Sequence, residues 1–195
     1  MGLPANKLII ATNENDILDR FINSGNYSIE NVTRTTSPSM DIAIASNFER
    51  LLFDLYDKSS SLTSEKMNEL KNNKSFSVNS EQSDLVKKIF SSKKINQNEV
   101  NNLIKETYNE FNYIIDPHTA IGLGASRSCN QISDYNFILG TAHPIKFSDT
   151  VEKAIGQPMQ SSEEFNKVFV NEEKFYSFKN STEEVRNIIK NNYSK

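Results

Sequence analysis

The run Lys7-Leu-Ile-Ile-Ala-Thr12 is the feature that most limits what this chain can build. Its length suits a buried strand, and Pro4 just upstream disfavours a helix there. Asn13-Glu-Asn-Asp16 then offers several helix caps. Ile17-Leu18 and Phe21-Ile22 recur at helical spacing, and Gly25-Asn26 supplies a stop. A strand, a polar loop and a helix in that order make the first half of a βαβ element. Such an opening points to an α/β body with a mainly parallel sheet.

The rest of the chain extends this pattern. Val32 to Ser39 is a hydroxyl-rich loop. Met40 to Tyr56, with Ile42, Ala45, Phe48, Leu52 and Leu55 on one face, predicts an amphipathic helix with Ser39 near its start. Residues 57–100 turn to Ser, Lys and Asn. Leu62, Met67 and Leu70, then Leu85, Val86, Ile89 and Phe90, suggest short helices, and Asn96 to Phe111 a longer one. This stretch reads as a helical excursion on the surface of the α/β body. Tyr113–Asp116 and Tyr135–Leu139 predict two further strands or strand stubs. Between them, Ala120 to Ala125 is rich in Gly and Ala, which lets a helix pack closely on another element. Ser148–Ile155 with Ser148 as cap, and Thr182–Asn191 with Thr182 as cap, predict two more helices, whereas Glu163–Phe178 is too mixed to assign. The division expected is 1–56 as the first βα units, 57–111 as a variable helical insertion, and 112–195 as a C-terminal α/β part bearing further loops of the site.

Composition narrows the chemistry. The 195 residues carry 22 basic and 25 acidic side chains, a formal charge of −3, without the basic excess of a nucleic-acid binder. A lone cysteine, Cys129, excludes a disulfide framework and reads as structural. With two histidines, His118 and His143, no His-rich metal site is expected. No signal pattern opens the chain and no apolar run approaches the roughly 20 residues of a membrane span, so the expectation is a soluble, cytoplasmic protein without a membrane partner.

In parallel α/β folds, ligands bind beyond the carboxyl ends of the strands. That rule selects four polar loops: Thr12–Asp16, Thr35–Ser39, Asp116–Thr119 and Thr141–Pro144. Asp116-Pro-His-Thr119 suits a helix cap with Pro117 at the first position; it also places His118 and Thr119 at the rim of a pocket. In Gly140-Thr-Ala-His-Pro144 a hydroxyl and an imidazole follow a strand-like run, and His143 before Pro is held extended; a plain turn is the other reading. Asn13-Glu-Asn-Asp16 has no metal-ligand spacing and reads first as helix initiation. Thr35-Thr-Ser-Pro-Ser39 offers an anion site or a capping loop, and has no nucleotide-loop glycines.

Taken together, these stretches resemble the C-terminal part of threonine synthase. The likeness runs through Gly2-Leu-Pro4 with Leu8 to Ile17 and Arg20-Phe21, through Thr35-Thr-Ser-Pro-Ser-Met-Asp-Ile42 and Ser46-Asn-Phe-Glu-Arg-Leu-Leu52, and returns at Asp116-Pro-His-Thr-Ala120 and Gly140-Thr-Ala-His-Pro144 with Lys146-Phe147. Residues 57–108 match weakly. The resemblance implies the fold of the fold-type II pyridoxal-phosphate enzymes, a three-layer body on a parallel sheet like that of the tryptophan synthase β subunit. It implies a lyase acting on O-phospho-L-homoserine and water to give L-threonine and phosphate, with pyridoxal 5'-phosphate as electron sink. A related phospho-lyase of similar substrates and a non-catalytic α/β fragment stay open as alternatives. The implied cofactor-side residues are Thr141, facing the pyridine nitrogen as a neutral hydroxyl, with Asp116, His118 and Thr119 beside the ring. The implied substrate-side residues are Asn13, Asn15, Ser37, Ser39 and His143. No catalytic residue is expected in this chain: the family's Schiff-base lysine and its glycine-rich phosphate loop lie upstream of the matched motifs, and Lys146 is not that lysine. The expectation is therefore a C-terminal piece, inactive alone, working as a monomer, a homodimer or with its own N-terminal half.

Overall fold

The computed structural model describes residues 5–129 and 135–193, with the side chain of Phe169 left aside. The chain divides into two units, Met1–Met159 and Gln160–Lys195. The first begins as the sequence suggests. β1 (Leu8–Thr12) leads through a polar loop into α1 (Ile17–Ser24), which ends at Gly25 in the left-handed conformation (φ 75°) that a side chain would strain. β1 pairs in parallel with β4 (Phe90–Lys94), Leu8 opposite Phe90 and Thr12 opposite Lys94. A second pair, β2 (Asn26–Ser28) and β3 (Ser75–Ser77), is antiparallel and sets Tyr27 opposite Phe76.

Two apolar clusters hold this unit. In the first, the Tyr27 ring packs near-parallel to Phe48 (4.2 Å) and to Phe76 (5.3 Å), and Phe21 meets Phe48 edge-on at 4.7 Å. Rings in these geometries add about 1 kcal/mol per pair beyond their burial. The Tyr27 hydroxyl accepts the Ala45 amide at 2.9 Å, so the buried phenol is satisfied, and burial pushes its pKa up. Around the rings pack Ile17, Ile22, Leu52, Leu70 and Val86. The second cluster joins Ile95, the Val100, Leu103 and Ile104 face of α5 (Gln97–Phe111), Ile115, the Ala120, Ile121 and Ala125 face of α6 (Pro117–Ser128), and Val151 of α7 (Ser148–Ile155). Gly124 sits where α6 meets α5. A Cβ there would lie 2.8 Å from Leu103 Cδ1 and 3.0 Å from Ile95 Cδ1, so the expected role of the small residues holds at this position.

Several expected elements differ. Met40 to Tyr56 is not one helix: a 3-10 turn spans Pro38–Met40, and α2 covers Phe48–Leu55. Ser39 lies in that turn, away from the start of α2. Tyr113–Asp116 forms no strand, because the backbone runs directly into the cap of α6. Tyr135–Leu139 also forms none. The stretch read as a surface excursion does hold α3 (Ser60–Asn73), α4 (Ser80–Ile89) and the start of α5, but it also supplies β3 and β4 to the sheets. β4 reads Phe90-Ser-Ser-Lys-Lys94, with too little apolar alternation to announce a strand. Ser148 is the first residue of α7 and Phe147 precedes it as the capping position.

The second unit consists of α8 (Glu163–Val170), within the stretch left unassigned, and α9 (Thr182–Tyr193). Ser162 caps α8 by accepting from Phe165. At α9 the Ser181 hydroxyl, and not Thr182, accepts the Glu184 amide at 3.4 Å. Among the described residues no helix is long and apolar enough to cross a membrane.

Candidate functional site

The loop at the carboxyl end of β1 is built around Asn13, which is 2% exposed. Its side-chain nitrogen Nδ2 shares its two hydrogens among Thr35 Oγ1 (2.8 Å), Ser37 Oγ (2.9 Å) and Asp41 Oδ1 (2.7 Å). Its oxygen accepts the Asn15 amide at 2.8 Å. Asn15 Nδ2 donates to Asp41 Oδ1 (2.9 Å) and to the Thr33 carbonyl (2.8 Å), and the Thr33 amide donates back to Asn15 Oδ1 at 2.8 Å. Asp41 also accepts from Thr35 through Oγ1 (2.6 Å) and the amide (2.8 Å). One carboxylate thus ties residues 33–41 to residues 13–15 by charge-assisted bonds. The sequence reading brought Asn13, Asn15 and Ser37 forward. It missed Asp41, although Asp41 sits inside a matched motif, because a carboxylate after a Ser-rich loop carries no spacing signal of its own.

Neighbouring contacts fix this loop to the body. The Ile95 amide donates to the Thr12 carbonyl at 2.9 Å, the Gln97 amide to Glu14 at 3.3 Å, and Thr36 Oγ1 to Gln97 Oε1 at 2.9 Å. The start of α5 therefore meets both polar loops. Asp16 makes no capping bond to α1. It accepts from Arg20 Nε (2.8 Å) and Lys94 Nζ (2.9 Å). Burial raises its pKa, but the two cations outweigh burial and hold it below the ordinary value. Ser39 is exposed.

Asp116 is the cap of α6, as the sequence indicated, and is 1% exposed. Its carboxylate accepts the His118 amide (2.9 Å), the Thr119 amide (3.4 Å), the Thr119 hydroxyl and His118 Nδ1 (2.8 Å). Burial pushes its pKa up, yet the bonds from His118 and Thr119 prevail and keep it below the ordinary value. Asp116, His118 and Thr119 thus form one unit. Burying a carboxylate is tolerable there because its oxygens are satisfied by its own helix terminus. The Asp116 carboxylate fixes the ring nitrogen Nδ1, and Nε2 of His118 is a buried polar atom without a protein hydrogen-bond partner; Thr12 Oγ1 is another. Such atoms are uncommon and point to a place where a ligand group completes the set.

The Gly140–Pro144 segment is different in kind. Thr141 and His143 are exposed on a segment outside any helix or strand, with extended backbone at His143. His143 caps a 3-10 turn, Pro144–Phe147, by accepting the Ile145 amide at 3.2 Å. The Phe147 ring lies 4.7 Å from the His118 ring, which brings this segment against the start of α6. The structure so gathers Asn13, Asn15 and Ser37 into one network and Asp116, His118 and Thr119 into another, whereas Thr141 and Ser39 stand exposed outside both. A cavity of about 370 Å³ lies elsewhere, against β4, and its lining includes Ile22, Asn23, Phe90, Ser92 and Cys129. Burial pushes the Cys129 thiol up, which suits a structural residue. Among the described residues no group of three or more His, Cys, Asp or Glu could hold a metal ion.

This is a mixed α/β chain whose polar loops gather around a parallel strand pair, and comparisons with known proteins narrow the class. The family model described as "Threonine synthase, C-terminal" matches residues 119–189. Threonine synthase of Pseudomonas aeruginosa is 42% identical over 159 residues, covering 80% of this chain and 34% of that protein. Threonine synthase of Saccharomyces cerevisiae is 42% identical over 173 residues, with the same coverages. Among solved structures, PLP-bound threonine synthase from Brucella melitensis superposes with a TM-score of 0.82 at 34% identity, over 100% of this chain and 42% of that one. Yeast threonine synthase gives 0.80 at 38% identity, over 97% and 42%. The resemblance drawn from the motifs is therefore borne out: the chain is similar to the C-terminal part of threonine synthases. It spans about a third of the length of the curated relatives it matches. The Gly2-Leu-Pro4 motif lies outside the described residues.

Proposed function

We propose that this chain serves as the C-terminal portion of a pyridoxal-phosphate-dependent threonine synthase, a lyase that takes O-phospho-L-homoserine and water to L-threonine and phosphate. The observation that carries the reading is the 42% identity to threonine synthases over 80% of the chain. The substrate is a small phosphate ester, and the setting is the cytoplasm, with the chain acting as a monomer, a homodimer or together with an N-terminal half.

The residues present fit one side of the cofactor. Two buried polar atoms, His118 Nε2 and Thr12 Oγ1, are left for a ligand to meet, and Thr141 offers an exposed neutral hydroxyl. In this reading Thr141 faces the pyridine nitrogen, and the Asp116–His118–Thr119 unit lines the ring. A neutral hydroxyl supports an unprotonated ring nitrogen, where a carboxylate would favour the protonated one. When bound, pyridoxal phosphate supplies the electron sink of the reaction. Ser39 and His143 approach the substrate directly. Asn13, Asn15 and Ser37 act on it at one remove, because their hydrogen bonds are spent on each other and on Asp41 and so hold the loop that meets it.

The test is a chimera in which this chain replaces the matching segment of Pseudomonas aeruginosa threonine synthase. Turnover of O-phospho-L-homoserine is expected, and Thr141→Val in the chimera lowers kcat about tenfold, the equivalent of about 1.4 kcal/mol. A folded chimera without turnover overturns the reading. For this chain alone, with pyridoxal phosphate and borohydride, no single lysine becomes labelled and no substrate is consumed. Stoichiometric labelling with turnover would show the chain to be a complete enzyme.

A further inference from the structure

Helix α6 carries two glycines, Gly122 and Gly124, and a glycine inside a helix weakens it relative to alanine. Each therefore calls for a neighbour that needs the space. Gly124 answers to α5, where Leu103 fills it. Gly122 faces nearly the opposite way, since each residue turns a helix by about 100°. A Cβ there would lie 3.2 Å from Ile138 Cγ2. Ile138 is turned in on α6 and 36% exposed, while its neighbours Phe137 and Leu139 are 88% and 80% exposed. Further along the chain, the Phe147 ring packs 4.7 Å from the His118 ring. His118 and Gly122 share a face of α6, with one turn of about 6 Å between them. The chain from Ile138 to Phe147 is thus a loop whose two feet stand a turn apart on one helix. Near the second foot, the Ile145 amide donates to His143 Nδ1 (3.2 Å) and the Lys146 amide to the His143 carbonyl (3.1 Å). Thr141 lies exposed between the feet.

We propose that Gly122 is a positioning residue of the site. It seats Ile138, and this seat, together with the Phe147–His118 contact, holds the 139–146 loop in the arrangement that presents Thr141. That Thr141 is the group to be presented rests on the threonine synthase reading, in which its hydroxyl faces the cofactor ring nitrogen. Fixing both feet removes much of the loop's freedom before anything binds, so the ligand does not have to order the hydroxyl itself. The second foot is itself held: the Asp116 carboxylate fixes His118 Nδ1 at 2.8 Å, so the loop and the Asp116 unit stand on one support. Gly122 and Ile138 act through Thr141 and not on the ligand. The seat uses the Cγ2 methyl of Ile138. Ile138→Val keeps that methyl and preserves the seat. Ile138→Ala empties it, and Gly122→Val fills it from the other side.

The first arm of the experiment uses the full chain without ligand and reads nitrogen-15 relaxation at the Thr141 amide. An order parameter of about 0.85 is expected in the wild type and in Ile138→Val, and one below about 0.6 in Ile138→Ala and Gly122→Val. Leu139→Ala, one residue along and exposed, keeps the wild-type value. Ile138→Ala changes a residue at the surface, so it reports on the loop even where Gly122→Val fails to fold. The second arm uses the chimera with Pseudomonas aeruginosa threonine synthase and reads the dissociation constant of pyridoxal phosphate by equilibrium dialysis. Ile138→Ala and Thr141→Val each raise it about fivefold, and the double variant raises it no further than Thr141→Val alone, since the two residues act as one unit. Three results overturn the proposal: a Thr141 amide equally mobile in the wild type and in Ile138→Ala; additive losses in the double variant; or a constant raised by Thr141→Val and untouched by Ile138→Ala. Loss of order at Thr141 with a constant that no variant changes, Thr141→Val included, keeps the seat and sinks the threonine synthase reading of Thr141.

Discussion

The Asn13 loop and the Thr141 segment come from equally conspicuous polar motifs, and the fold treats them in opposite ways. Around Asn13 the side-chain amides of Asn13 and Asn15 and the Asp41 carboxylate answer one another, and Asn13 is 2% exposed. Around Thr141 the backbone belongs to no helix or strand and the residue is exposed. The difference teaches that polar residues whose bonding capacity is consumed locally shape a site, while those held outward on a supported segment are the ones that meet something else. The Asp116 unit stands between the two: its carboxylate is saturated, but the imidazole it anchors keeps one unmatched buried nitrogen.

Substitutions sharpen this contrast, and the largest effect belongs to Asp116→Ala. It removes a helix cap and strands donors of His118 and Thr119 in a buried place, so a loss of about 3 kcal/mol is expected from denaturant unfolding. The same carboxylate makes stability depend on pH. Its folded-state pKa lies below the ordinary 3.8, so its contribution is complete above that value and is lost as pH falls through the folded value. The stability gap between wild type and Asp116→Asn therefore narrows on acidification below about pH 4; a gap that stays constant down to pH 2 breaks the claim that the ionised form is the stabilising one. Asp41→Ala should cost about 2 kcal/mol, since it undoes the bonds from Asn13, Asn15 and Thr35 at once. A cost near zero would place the Asn13 loop with the Thr141 segment and erase the distinction. Gly124→Val tests the body beneath both loops: its methyls press on Leu103 and Ile95, whose tips can yield, so about 1.5 kcal/mol is expected in the thermal melt. Thr141→Val in the isolated chain should change stability by less than about 0.5 kcal/mol, because nothing packs on an exposed hydroxyl. A larger loss would show that the hydroxyl is already engaged within the fold.

The local signals in the sequence proved dependable where one physical cause acted alone. The apolar run of β1, the Gly25 stop, the Asp116-Pro117 start of α6 and the Asn96 start of α5 each rest on backbone chemistry that neighbours do not override. Asn96 even forms a reciprocal capping box with Glu99. Periodicity failed between Met40 and Tyr56, because Asp41 is drawn into the Asn13 network and the Ala45 amide into a bond with Tyr27; those tertiary bonds hold the backbone out of a helix until Phe48. β4 was hidden because its Ser and Lys residues are set by Asp16, Asp19 and the parallel partner, not by burial. Of the candidate site, the positions were visible in the motifs. The partition into a locked loop and an outward segment was not, since it depends on Asp41 and Gln97 reaching across from other elements.

The pairing of Leu8 with Phe90 carries a kinetic consequence. The ring cluster of Phe21, Tyr27, Phe48 and Phe76 can assemble from residues that all lie between the two strands, and the α5–α6 cluster from residues that lie mostly after them. The parallel ladder must close the whole intervening chain before it gains a single bond, and closure entropy grows with that length. Long-range parallel pairing is slow for this reason. β1 should then be the last strand to zip during folding and the first to be released when the chain breathes.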